Sequence, residues 1–149
     1  MTYDSRTDTV NHKMAVGLIL EQIAAQLLHR AEAHDDSKLE APEKQIFDEF
    51  TPLLKTLTYG SDEYKSSLEN MGTALQHHYA ENRHHPEHFR NGIDDMNLID
   101  LIEMLADWKA ATLRHADGNI MASLGINRNR FDISDQLHHI LCNTVKDME

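Results

Sequence analysis

A single cysteine, Cys142, leaves the chain without an internal disulfide, so packing alone must hold the fold, as suits a reducing compartment. Long apolar runs are missing too. The longest, Met14 to Leu20, falls far short of the roughly 20 residues that span a bilayer, so no membrane segment is expected. Met1 to Arg6 has no apolar stretch of the kind a signal peptide needs, and a cytoplasmic location is expected. Basic residues are scarce, with 14 Lys+Arg against 25 Asp+Glu and a net charge of −11. That balance argues against binding a long nucleic-acid backbone, which requires a basic footprint. A small phosphate ester is still compatible, because a bound cation can supply positive charge locally. With only three prolines, six glycines and no alternating β-branched runs, strand and hairpin signals are poor.

What is present is helical periodicity. At 149 residues the chain is the size of one domain with a core of its own, residues 1–149. The spacing predicts an all-α fold. A first helix runs from about Asp8 to Glu32, with Val16, Ile19, Leu20, Ile23 and Leu27 on one stripe and His12 in phase with it. A second runs from about Pro42 to Leu57, with a kink or break expected at Pro52. A third runs from about Asp62 to Asn82, with Tyr64, Leu68, Met71, Leu75 and His78 turned inward and His77 outward. A fourth runs from Asp95 or Asn97 to His115, with a core face of Leu98, Leu101, Ile102, Leu105 and Leu113 and Trp108 at its edge. Asp100, Glu103 and Asp107 lie opposite, where periodicity alone places them in solvent. Asp117-Gly118 breaks the chain, short helical turns follow around Ile120 to Leu124, and a last helix capped by Ser134 covers about Asp135 to Lys146.

Histidine is over-represented, with 11 copies, five of them between His77 and His88. A tract of this kind is a metal-binding cue, and a polar turn is the bland alternative. His34-Asp35 sets two ligand types side by side, and Lys38 follows Asp35 by three residues. The candidates in order are His12, His34 with Asp35, His78, His85 and Asp107. Mixed imidazole and carboxylate donors suit Fe, Mn, Zn, Co or Ni rather than an oxygen-only cage. Two such ions would polarise a phosphoryl oxygen and acidify a water.

This ordered set resembles the HD-domain superfamily of metal-dependent phosphohydrolases, whose ligands follow H…HD…D on a helical bundle. His12, His34, Asp35 and Asp107 match those positions, and His78 and His85 match the two extra histidines of binuclear members. His34-Asp35-Asp36-Ser37-Lys38 looks like the HD-x-G/S-K form, in which the lysine binds or polarises phosphate. His84-His85-Pro86-Glu87 is similar to the paired-histidine segment of HD-GYP phosphodiesterases, without its Gly-Tyr-Pro half. Leu105-Ala106-Asp107 looks like the segment carrying the last ligand. The whole chain also resembles a small family of uncharacterised bacterial and phage proteins, through segments such as His84-His85-Pro86-Glu87-His88-Phe89.

The resemblance implies an HD-like bundle of about five to seven helices and hydrolysis of a phosphate ester, a nucleotide foremost, by attack of a metal-bound hydroxide. One or two divalent transition-metal ions would be held by His12, His34, Asp35, His78, His85 and Asp107, with Asp35 bridging. Lys38 would stabilise developing charge, and His84 would contact substrate. A di-iron oxygenase of the same superfamily and a non-enzymatic metal-stabilised binding module are the alternatives. The expected partner is a small phosphorylated molecule, with no membrane and no long nucleic acid. The apolar face of the last helix is compatible with a homodimer.

Overall fold

The computed structural model describes residues 3–114 and 118–148. These residues form seven α-helices and no strand, the all-α architecture that the periodicity predicts. The expected end of the fourth helix at His115 and the break at Asp117 lie outside the described residues. Among the described residues, no helix is long and apolar enough to cross a membrane. The chain divides into two compact units, Met1–His34 and Asp35–Glu149.

The first unit is one helix. α1 spans Arg6–Ala33, 28 residues, or about 42 Å at 1.5 Å per residue. It starts after Ser5, slightly before the expected Asp8, and runs unbroken through Gly17 to its C-cap, His34.

The second unit carries the core. α2 covers Glu43–Leu54, α3 Asp62–Asn70, α4 Gly72–Glu81, α5 Leu98–Thr112, α6 Ile120–Arg130 and α7 Asp135–Lys146. Short 3₁₀ turns fill Asp36–Leu39, Pro86–His88 and Gly92–Asp95. Local chemistry starts several helices, at Ser134 as expected. Ser61 accepts from the Tyr64 backbone, Ser134 accepts from that of Leu137, and Asn97 with Asp100 forms a reciprocal capping box. Met104, Leu105 and Trp108 of α5 meet Ile120 and Leu124 of α6 and Leu141, Cys142 and Val145 of α7 in one buried cluster.

Four expectations are corrected. The third helix is two helices, because Gly72 adopts φ +51°, a left-handed conformation that ends α3 and restarts the chain as α4. The buried stripe keeps its phase across the break and is broader than its apolar members, because Ser67 and Ala74 are buried beside Met71 and His78. Pro52 does not break α2 at once: it lies within the last turn, and the helix ends at Leu54. Ile120 to Leu124 is not a short turn but the start of a full helix. The side of α6 that is buried carries Ile120, Ser123, Leu124 and Asn127, at i, i+3, i+4 and i+7, and the two polar members hide that stripe from a hydrophobic count.

The largest correction concerns α5. Leu98 and Leu113, read as core, are 75% and 77% exposed, whereas Asp100 is 0% exposed. Arg83 explains this. Its Nε and Nη2 donate to the two carboxylate oxygens of Asp100 at 3.1 and 2.9 Å, a paired geometry that compensates the buried charge. Its guanidinium also lies over the Phe89 ring at 4.8 Å. This clamp holds the loop that carries His84 and His85 against the acidic side of α5.

Candidate metal centre

Asp35 begins the second unit with φ +60°, a left-handed conformation that a residue other than glycine adopts at a cost. Such strain collects at functional sites. From this position its carboxylate faces two ways. Oδ2 accepts from Lys38 Nζ at 2.6 Å, and Lys38 in turn lies over the Phe47 ring, 4.9 Å from the centroid. Oδ1 faces the Nε2 atoms of His78 and His84 at 3.3 and 3.4 Å.

Both imidazoles are backed by a carboxylate. His78, on α4, is 1% exposed and donates from Nδ1 to Glu43 Oε2 at 2.9 Å. Glu43 is 0% exposed, and its carboxylate also accepts from His77 Nδ1 at 2.7 Å and Ser37 Oγ at 3.0 Å. His84 is 2% exposed and has Nδ1 3.2 Å from Glu103 Oε1. The tautomer with the proton on Nδ1 donates to this backing carboxylate and leaves the Nε2 lone pair for a cation between the imidazoles and Asp35. This is the outer-shell arrangement by which carboxylates orient metal-ligating histidines. His85 completes the group, with Nε2 at 2.9 Å from His78 Nε2. Burial first, then the nearby Lys38 charge, lowers the His78 pKa. Burial first, then His84 and His78, lowers that of His85. Both shifts favour the neutral, ligating form.

Asp35, His78, His84 and His85 each present one donor atom, and these atoms all lie within 4.8 Å of one another. The spacing fits a cation. Bonds of about 2.1 Å at a tetrahedral angle set ligand atoms about 3.4 Å apart, close to the separations from Asp35 Oδ1 to the two imidazoles. Three nitrogens with a carboxylate oxygen suit a divalent transition metal. Asp107, half-buried on α5, brings a carboxylate oxygen within 4.8 Å of that of Asp35. Asp100, Glu103 and Asp107 share one face of the helix, at i, i+3 and i+7. A cavity of about 880 Å³ opens on Asp35, Lys38, His78, His85 and Asp107.

The structure therefore brings together Asp35, Lys38, His78, His85 and Asp107 from the sequence-based set. His84, expected to touch substrate, instead lies among the potential ligands. His12 is not brought to the pair it was expected to join. It shares the unbroken α1 with His34, and 22 residues at 1.5 Å each separate the two by about 33 Å along the axis. One ion cannot bind both. His34 ends the first unit and is joined to Asp35 by the peptide bond. Sequence reasoning missed Glu43 and Glu103. Glu103 was visible as part of the acidic stripe of α5, although that stripe reads as a solvated face. Nothing in the pattern around Pro42 marks Glu43 as buried.

A family described as "Family of unknown function (DUF5662)" matches residues 1–147. No curated protein matches the chain, and no solved structure does.

Proposed function

We propose that this chain, which belongs to the DUF5662 family, is a metal-dependent phosphohydrolase of HD-like type, acting on a phosphate ester and first of all on a nucleotide. The observation that carries the reading is the convergence of two carboxylate-backed imidazoles on one oxygen of Asp35, at 3.3 and 3.4 Å. An ion bound there supplies the charge that polarises a phosphoryl oxygen and acidifies a water. The protein's own groups do the rest. Asp35, His78, His84 and His85 hold the cation. Lys38, bonded to Asp35 at 2.6 Å, offers its ammonium to phosphoryl oxygens as negative charge grows on them. Asp107, which lines the same cavity with a carboxylate oxygen within 4.8 Å of that of Asp35, accepts a proton from the attacking water in this reading. The HD likeness extends to His-Asp, the two later histidines and the late aspartate. It does not extend to the first histidine, because His12 lies too far along α1.

The test is metal analysis of purified protein, followed by phosphate release from a panel of nucleotides and other phosphate esters. The proposal expects about one or two transition-metal ions per chain, and loss of both metal and turnover in Asp35→Asn and His78→Ala. Full metal content in both variants would reject it. Oxygen consumption by iron-loaded protein without phosphate release would put the di-iron oxygenase in its place, and bound metal with neither activity would favour a binding module.

A further inference from the structure

We infer that the cavity above the cluster selects esters whose organic part is a large, flat, apolar group, an inference that rests on the phosphohydrolase reading for the position of the phosphate. At about 880 Å³ the cavity has the size that encloses a drug-sized molecule, far more than a phosphate requires. Asp35, Lys38, His78 and His85 share its lining with the rings of Phe47, Tyr59, Tyr64, Tyr79, Trp108 and Phe131, and with polar side chains that include Asp48, Lys55, Glu87 and Arg114. The Phe47 ring meets His78 at 5.4 Å and 64°, and the Tyr79 ring meets His85 at 4.9 Å. Further along the wall, Trp108 and Phe131 lie parallel, 6.0 Å apart with an interplanar angle of 6°. Leu75 and Ile126 line this cavity and also a neighbouring one of about 750 Å³ that shares Tyr59, Tyr64 and Tyr79 with it. The two spaces thus share a wall of apolar and aromatic side chains.

Arg130, one of several charged side chains on this lining, is compensated where it stands. Arg130 is held by Glu87 at 2.6 Å and stacks over Phe131 at 4.6 Å, so at this wall its charge faces a carboxylate and a ring. A sugar or glycerol phosphate would exchange its hydration for these ring faces and lose hydrogen bonds. An aryl group gains both burial and stacking. A nucleobase is flat and aromatic enough to gain part of that benefit, and the proposal ranks it above any sugar phosphate.

The chain holds a single tryptophan, so its fluorescence reports this wall alone. Zinc-loaded full-length protein is titrated with 1-naphthylphosphonate and with methylphosphonate, which carry the same head group and cannot be hydrolysed. Naphthyl binding is expected to be tighter by on the order of fifty- to a hundredfold, the effect of burying roughly 100 Å² of ring. The Ile126→Glu variant, changed at a residue 42% exposed, should lose about tenfold for naphthyl and nothing for methyl. Equal affinity for the two phosphonates, or naphthyl binding indifferent to Ile126→Glu, overturns the inference and leaves the hydrolase reading intact. Tight naphthyl binding without phosphate release from 1-naphthyl phosphate supports the cavity assignment and sinks the hydrolase.

Discussion

Replacing Glu43 by glutamine tests how the centre is held. Glu43 touches no predicted ligand position except through nitrogen protons. Its buried carboxylate accepts from His77 Nδ1 at 2.7 Å, His78 Nδ1 at 2.9 Å and Ser37 Oγ at 3.0 Å. Asn82 Nδ2 lies near the same atom of His78 at 3.0 Å, but it has acceptors in Ser37 Oγ and the His78 carbonyl, each at 2.8 Å. The Nδ1 proton of His78 is thus left for Glu43. Glutamine keeps the size but offers one accepting oxygen and a donating amide. It cannot accept from both histidines through separate oxygens. If the amide faces His78, the ring shifts its proton to Nε2, and the lone pair aimed at the cluster is lost. Outer-shell changes of this kind cost 10- to 100-fold in metal affinity, or about 1.4–2.8 kcal/mol. The metal-free protein should also lose about 1.5–3 kcal/mol of stability, the scale of a charge-assisted bond. The assay is zinc competition against a chelating dye, with ¹⁵N histidine spectra reporting the His78 tautomer. Unchanged affinity together with an unchanged tautomer would refute the reasoning. A weakened fold with normal metal affinity would make Glu43 a purely structural residue.

The remaining expectations concern pH and the clamp on α5. The pKa values of His78 and His85 are lowered in the fold, so the unfolded chain takes up protons first as the solution is acidified. The stability they contribute is present above pH 6.5, the ordinary value, and falls below it. Urea midpoints of metal-free protein at pH 7.5 and 5.5 should show this, and an unchanged midpoint would argue against neutral buried imidazoles. Burial first, then neighbouring Tyr59, raises the Tyr64 pKa from 10.0 to about 12. Here the sign is opposite: the contribution is full below pH 10 and disappears between pH 10 and about 12, which ultraviolet titration alongside circular dichroism can follow. Asp100→Asn keeps the cap but weakens the bond to Arg83, so it should cost about 2 kcal/mol and reduce metal affinity through the displaced His84. A loss of stability with metal binding untouched would separate the clamp from the centre.

Much of the molecule was legible locally. Ser134 announced the start of the last helix through a side chain that caps the following turn. The phase of Leu68, Met71 and Leu75 assigned His78 to the inside and His77 to the outside, and the structure has His78 buried and His77 38% exposed at its side chain. Even the separation of His12 from His34 was available: a helix from about Asp8 to Glu32, with His34 just past its end, already holds the two roughly 30 Å apart.

The side of α5 that faces the cluster was not legible. Periodicity ranks faces by apolar content, and on that count the acidic side of α5 belongs in water. One distant arginine reverses the ranking, because Arg83 compensates the charge of Asp100 and carries the histidine loop with it. Sequence alone therefore determined the all-helical class, several helix starts and the residue types able to bind a cation, since those depend on neighbours within a turn or two. Which carboxylates stand behind which imidazoles depended on residues tens of positions apart sharing one desolvated space, and only the tertiary structure decided that.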